Sequence, residues 1–189
     1  TAALKAVAAG VDGLIVEGGE GGGFKNPNEV ASMVLLPLVR SKVDVPIIAA
    51  GGMVDGGTMA AAFALGAEGI QMGTRMVSAL ESPVHQNWKQ AIVDAPETGT
   101  VFLNKFHSPA LRALRTERTS RLEANAADNI MPEFGDAQAL YFGGDMEAAI
   151  PLSGQVAGRI ESIKPVADIL YETRDEFFRI LESLQRQYL

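Results

Sequence analysis

The chain has 189 residues, 47% hydrophobic and 21% charged, with mean hydropathy +0.11, an ordinary globular balance rather than that of a disordered chain. It has no cysteine, which excludes disulfide scaffolds and thiolate chemistry, and only two histidines, which argue against a histidine-built metal centre. A net charge of -7 argues against a nucleic-acid partner, and no apolar run approaches the ~20 residues of a membrane span. These features describe a cytoplasmic protein that handles a small molecule.

Thr1 to Gly10 reads as a helix stopped by glycine and leads at once into an apolar strand, Gly13–Val16. An opening in mid-unit predicts that the sequence is the later part of a longer protein. Glu29–Ser41 follows as a helix, Val45–Ala50 as a strand, Thr58–Leu65 as a helix, Gly69–Met72 as a short strand and Val84–Val93 as helix. Strands without polar alternation, alternating with amphipathic helices, predict α/β architecture with parallel strands covered on both faces. Three such units cannot close a barrel, so a front half is expected elsewhere.

Each predicted strand runs into glycine. The first meets Glu17–Gly23, with five glycines in seven residues; the second meets Gly51-Gly52 and the run to Gly57; the third meets Gln71-Met72-Gly73-Thr74-Arg75. Loops after the C-terminal ends of parallel strands share one face, where α/β proteins bind ligands. Glycine there lets main-chain N–H groups approach a phosphate, and a helix N-terminus behind them adds a favourable dipole. Neither common nucleotide fingerprint is present, which favours a mononucleotide on a barrel, flavin mononucleotide (FMN) above all.

Glu17–Phe24, Val45–Gly57 and Leu65–Arg75 together resemble the nitronate monooxygenase (2-nitropropane dioxygenase) family, and the flavin-dependent enoyl-[acyl-carrier-protein] reductases are similar over the same stretch. The resemblance continues at Glu81–His85, Leu111–Arg115, Gly144–Glu147, Ser153–Gly158 and the closing helix; only 121–140 carries no feature. It implies the later half of a (β/α)8 TIM barrel, with the three strands as its sixth to eighth. Residues 1–77 and 151–189 would belong to the barrel, the latter as helix. Residues 78–150 would form an inserted, small helical domain on the substrate side.

The resemblance also implies FMN as cofactor, NADH or NADPH as co-substrate, a small-molecule substrate, a missing N-terminal half and a homodimer. Gly22 and Gly23 would lie against the flavin. Gly51, Gly52, Gln71, Met72, Gly73 and Thr74 would hold its phosphate, with the Thr74 hydroxyl as a donor. Glu17 stands where the family has glutamine or lysine, and its carboxylate beside a reduced flavin needs a partner.

The family's proton-transferring histidine is replaced by Phe24, so the catalytic residue stays unassigned. On the family course the Phe24 ring is expected at the flavin's reactive edge, with Lys25 pointing the other way. Phe24→His would then raise nitronate oxidation about 10²-fold. The sequence as it stands favours hydride transfer; the alternatives are an enoyl-thioester reductase, an NAD(P)H:quinone reductase, or a non-catalytic flavin- or phosphate-binding protein. His85 is expected to start a helix, His107 to pack or face solvent, and Trp88 to sit in the core of the small domain. Arg112, Arg115, Arg118 and Arg121 read as one solvated helix face.

Overall fold

The computed structural model describes residues 2–125 and 128–189; Thr1, the first residue of the predicted opening helix, and Ala126–Ala127, inside the featureless stretch, lie outside the described residues. The first part of the chain forms α1 (Ala2–Ala8), β1 (Leu14–Glu17), β2 (Gly23–Lys25), α2 (Ser32–Arg40), β3 (Ile47–Ala50), α3 (Gly56–Ala64), β4 (Gly69–Gln71) and the single turn α4 (Thr74–Val77). The second part forms α5 (Gln86–Val93), β5 (Thr100–Leu103), β6 (Ala110–Leu114), α6 (Glu117–Ala124), α7 (Ala137–Tyr141) and the long α8 (Val166–Tyr188). Among the described residues, no helix is long and apolar enough to cross a membrane.

The chain is α/β, and its parallel sheet runs β1-β3-β4, with Ile15 opposite Ile48 and Ala49 opposite Ile70. Alternate residues of a strand face opposite ways. Val16, Ile47 and Ala49 therefore enter one core with Leu36 and Val39 of α2 and Ala62 of α3. Ile15 and Ile48, paired on the other face, stay 59% and 40% exposed. Within the described residues this chain covers one face and leaves the other apolar and open, as expected of strands whose second face is covered from elsewhere. An unbroken apolar strand shows that both faces are apolar, not what covers the second.

Local signals set the helix starts. The Asp55 side chain accepts from the Thr58 amide, and the Thr58 hydroxyl accepts from the Asp55 amide, a reciprocal cap for α3. His85 caps α5, its ring accepting from the Asn87 amide at 3.1 Å, as expected. α8 packs along α3 with Phe177 edge-on to Phe63 at 5.1 Å. Contact is so close that a Cβ on Gly56 would lie 2.4 Å from the Phe177 nitrogen.

A second, antiparallel sheet has the order β2-β6-β5. It corrects the expectation of a helical insertion, because 78–150 contains the hairpin β5–β6, and β2 from the first glycine loop joins its edge. The Arg112–Arg121 stripe is corrected with it. Arg112 lies in β6 and is buried, Arg115 follows the strand, and only Arg118 and Arg121 are helical. Trp88 is 1% exposed, edge-on to Tyr141 at 4.6 Å, in a core with Ile92, Leu114 and Leu140.

Candidate functional site

The three strand-end loops meet around a cavity of about 230 Å³. Its wall includes Glu17 at the end of β1 with Gly22 and Gly23 beyond it, Gly51 and Gly52 after β3, and Gln71 at the end of β4 with Gly73 and Thr74 beyond it. Seven of the eight predicted binding residues are therefore brought together. Met72 is the exception, since it packs against the first core and does not line the cavity. It alternates with Gln71 along the chain, and the two side chains go opposite ways.

Backbone geometry explains the glycines. Gly51 and Gly52 have φ of +75° and +80°, the left-handed region that side chains rarely adopt. At Gly22 a Cβ would lie 2.5 Å from the Ser153 carbonyl carbon and 2.6 Å from the Gly154 nitrogen, so the loop could not seat against the 152–156 segment. At Gly73 nothing lies within 4 Å of an added Cβ, so this glycine opens onto free space at the cavity wall.

Thr74 is buried, and its hydroxyl oxygen accepts from the Gly154 amide at 2.8 Å. That bond ties α4 to the segment after Ser153 and leaves the hydroxyl proton to donate elsewhere. Leu152, Gly154 and Val156 line the same cavity, as does Glu20, and sequence reasoning gave none of them a role. The Ser153–Gly158 run was the available signal. The N-terminus of α3 does not serve the cavity: carboxylates of Asp55 and Glu176 accept from the Thr58 and Gly56 amides, both at 2.8 Å. Its favourable end is therefore already occupied. Arg75 is structural as well, donating to Ser78 Oγ at 3.1 Å and to the Ser162 carbonyl at 2.9 Å. Burial pulls its pKa below the ordinary arginine value, with Glu172 acting in the opposite sense.

The second sheet fixes the glycine loop from outside. Lys25 is buried, its Nζ 2.6 Å from Glu17 Oε1 and 3.2 Å from the Gly18 carbonyl. Arg112, opposite Gly23 in the register, donates Nε to the Gly19 carbonyl at 2.8 Å and pairs with Glu29 at 2.6 Å. Its guanidinium stands over the Phe102 ring, 5.1 Å from the centroid. Glu20 accepts from Ser32, main chain and hydroxyl, at 2.9 to 3.1 Å. A loop with almost no side chains of its own is thus held by paired charges and hydrogen bonds on either side.

Phe24 stands outside the wall of this cavity. β2 pairs Phe24 with Leu111, so the ring leaves the cavity side, remains 56% exposed and stacks on Phe134 with centroids 6.2 Å apart. Phe24 does not line the cavity, and the partner that Glu17 needed is Lys25. Neither His85 nor His107 lines the cavity.

Residues 1–175 match the family described as nitronate monooxygenase. The chain belongs to that family. Similar relatives carry oxidoreductase names. A (3aS,4S,5R,7aS)-5-hydroxy-7a-methyl-1-oxo-octahydro-1H-indene-4-carboxyl-CoA dehydrogenase of Mycobacterium tuberculosis is 42% identical over 127 residues, 66% of this chain and 35% of the relative. A probable nitronate monooxygenase of Staphylococcus aureus is 31% identical over 188 residues, 92% of this chain and 53% of the relative. The solved structure of FabK from Thermotoga maritima superposes with a TM-score of 0.92 at 40% identity, over 99% of this chain and 60% of that one. The chain therefore spans between about a third and three fifths of the length of these similar proteins.

Proposed function

We propose that this chain forms the later part of an FMN-dependent (β/α)8 barrel oxidoreductase, with β1, β3 and β4 as the sixth, seventh and eighth strands. Residues 1–77 and 151–189 belong to the barrel in this reading, and 78–150 to the substrate-side insertion. The convergence of three strand-end loops on one glycine-walled cavity carries the proposal. The uncovered sheet face bearing Ile15 and Ile48 agrees with it, because such a face needs further strands against it.

The residues present fit the cofactor. Gly73 opens free space at the wall, Gly51 and Gly52 expose main chain in a conformation that side chains disfavour, and Thr74 retains a hydroxyl proton. These four, with Gln71, would hold the phosphate, while Gly22 and Gly23 would lie against the ring. When bound, FMN supplies the capacity to accept a hydride and pass electrons on. The protein's task is to bind, orient and exclude water.

Within the family's range, the reading placed first is hydride transfer from NADH or NADPH to an acceptor, with nitronate oxidation as the second; oxidation of neutral nitroalkanes is disfavoured. Among the described residues no imidazole lines the cavity, and Lys25 is committed to Glu17. Taking the α-proton of a neutral nitroalkane calls for a free base within reach, whereas hydride transfer chiefly requires orientation and a nitronate arrives already deprotonated. The acceptor would be an enoyl thioester or a quinone.

The test uses the full-length protein reconstituted with FMN. Anaerobic bleaching of its visible absorption by NADH or NADPH is the expected result. Brisk oxygen uptake with propionate 3-nitronate and no response to nicotinamide would place it with the monooxygenases. A bound flavin that responds to neither would make it a binding protein.

A further inference from the structure

The geometry points to the Glu17–Lys25 pair as the device that sets the electrostatics of the cavity and hence the reduction potential of the flavin held there, an inference that rests on the FMN reading above. Glu17 is the last residue of β1, is 42% exposed at its side chain and lines the cavity. Lys25, the last residue of β2, is 6% exposed at its side chain and reaches Glu17 Oε1 at 2.6 Å. The pair lies under the glycine loop, since a Cβ on Gly21 would come within 2.1 Å of Glu17 Oε1 and 2.4 Å of Lys25 Nζ. The lysine therefore contacts the cavity only through its partner. Glu17 is the ligand-facing member, and Lys25 is a positioning residue that aims the carboxylate and balances its charge.

Two-electron reduction leaves negative charge on a flavin, and an unbalanced carboxylate in the same cavity would oppose it. The other carboxylate in the wall, Glu20, is held by the amide and hydroxyl of Ser32 rather than by an ion pair among the described residues. Lys25 is thus the cation available to offset Glu17, because Arg112 is engaged with Glu29 and Gly19.

The experiment measures the reduction potential of FMN bound to the full-length protein and to Lys25→Met, Lys25→Arg and Glu17→Gln, by equilibration with reference dyes. Lys25→Met should make the flavin on the order of tenfold harder to reduce, a fall of about 30 mV for a two-electron couple. Glu17→Gln should shift it by a similar factor in the opposite direction, and Lys25→Arg should restore the parent value. A purely structural role would weaken binding without moving the potential in opposite senses. Equal potentials in all four proteins overturn the inference while leaving the FMN reading intact. Failure of the parent protein to take up FMN overturns both.

Discussion

Gly73→Ala separates folding from binding. Gly73 precedes α4 with φ -91° and ψ -75°, a conformation open to alanine, and an added Cβ meets no atom within 4 Å. Its effect on stability should stay within about 1 kcal/mol. The same methyl stands at the cavity wall, where a phosphate oxygen would have to come within about 2.9 Å of a main-chain nitrogen. Carbon contacts are comfortable only at about 3.5 to 4.0 Å, so the phosphate must retreat and give up at least one charge-assisted hydrogen bond. Each such bond contributes about 1.5 to 3 kcal/mol, so the Kd for FMN should rise by about 10- to 150-fold. Fluorescence titration of FMN and thermal denaturation of the same preparations make the comparison. Parent-like FMN affinity with an unchanged melting temperature would refute the assignment of Gly73 to the phosphate.

Other substitutions probe the surrounding framework. Gly22→Ala places a methyl 2.5 Å from the Ser153 carbonyl carbon and should cost about 1 to 3 kcal/mol in denaturant unfolding, together with weaker FMN binding. Trp88→Ala empties the centre of the second core and should cost about 3 to 5 kcal/mol by the same measurement. Phe24→His should leave nitronate oxidation unchanged, because the ring stacks on Phe134 outside the cavity; an increase of about 10²-fold in oxygen uptake would restore the original expectation for this position.

The parallel strands were legible because Leu14–Glu17, Ile47–Ala50 and Gly69–Gln71 are short apolar runs, each leading into glycine. Both periodicity and punctuation are local, so the ligand face of the sheet followed from them. The β5–β6 hairpin was not legible. Ala110–Leu114 carries Arg112 amid small and apolar residues, and arginines at every third position imitate a helix face. What makes the segment a strand is its pairing on one side with its hairpin partner Thr100–Leu103 and on the other with Gly23–Lys25, which is far away in the chain. The same pairing decides which of Phe24 and Lys25 faces the glycine loop. Alternation alone says that they point opposite ways, and only the register with Leu111 and Ala110 says which goes where. Gly154 was hidden differently, since its role depends on the Thr74 hydroxyl contributed by another element.

The most direct test is the structure of the full-length protein crystallised with FMN. Phosphate oxygens are expected within about 2.7 to 3.2 Å of the main-chain nitrogens of Gly52, Gly73 and Thr74, with the ring lying against Gly22 and Gly23. FMN bound elsewhere, or a phosphate with no contact to those three amides, would contradict it.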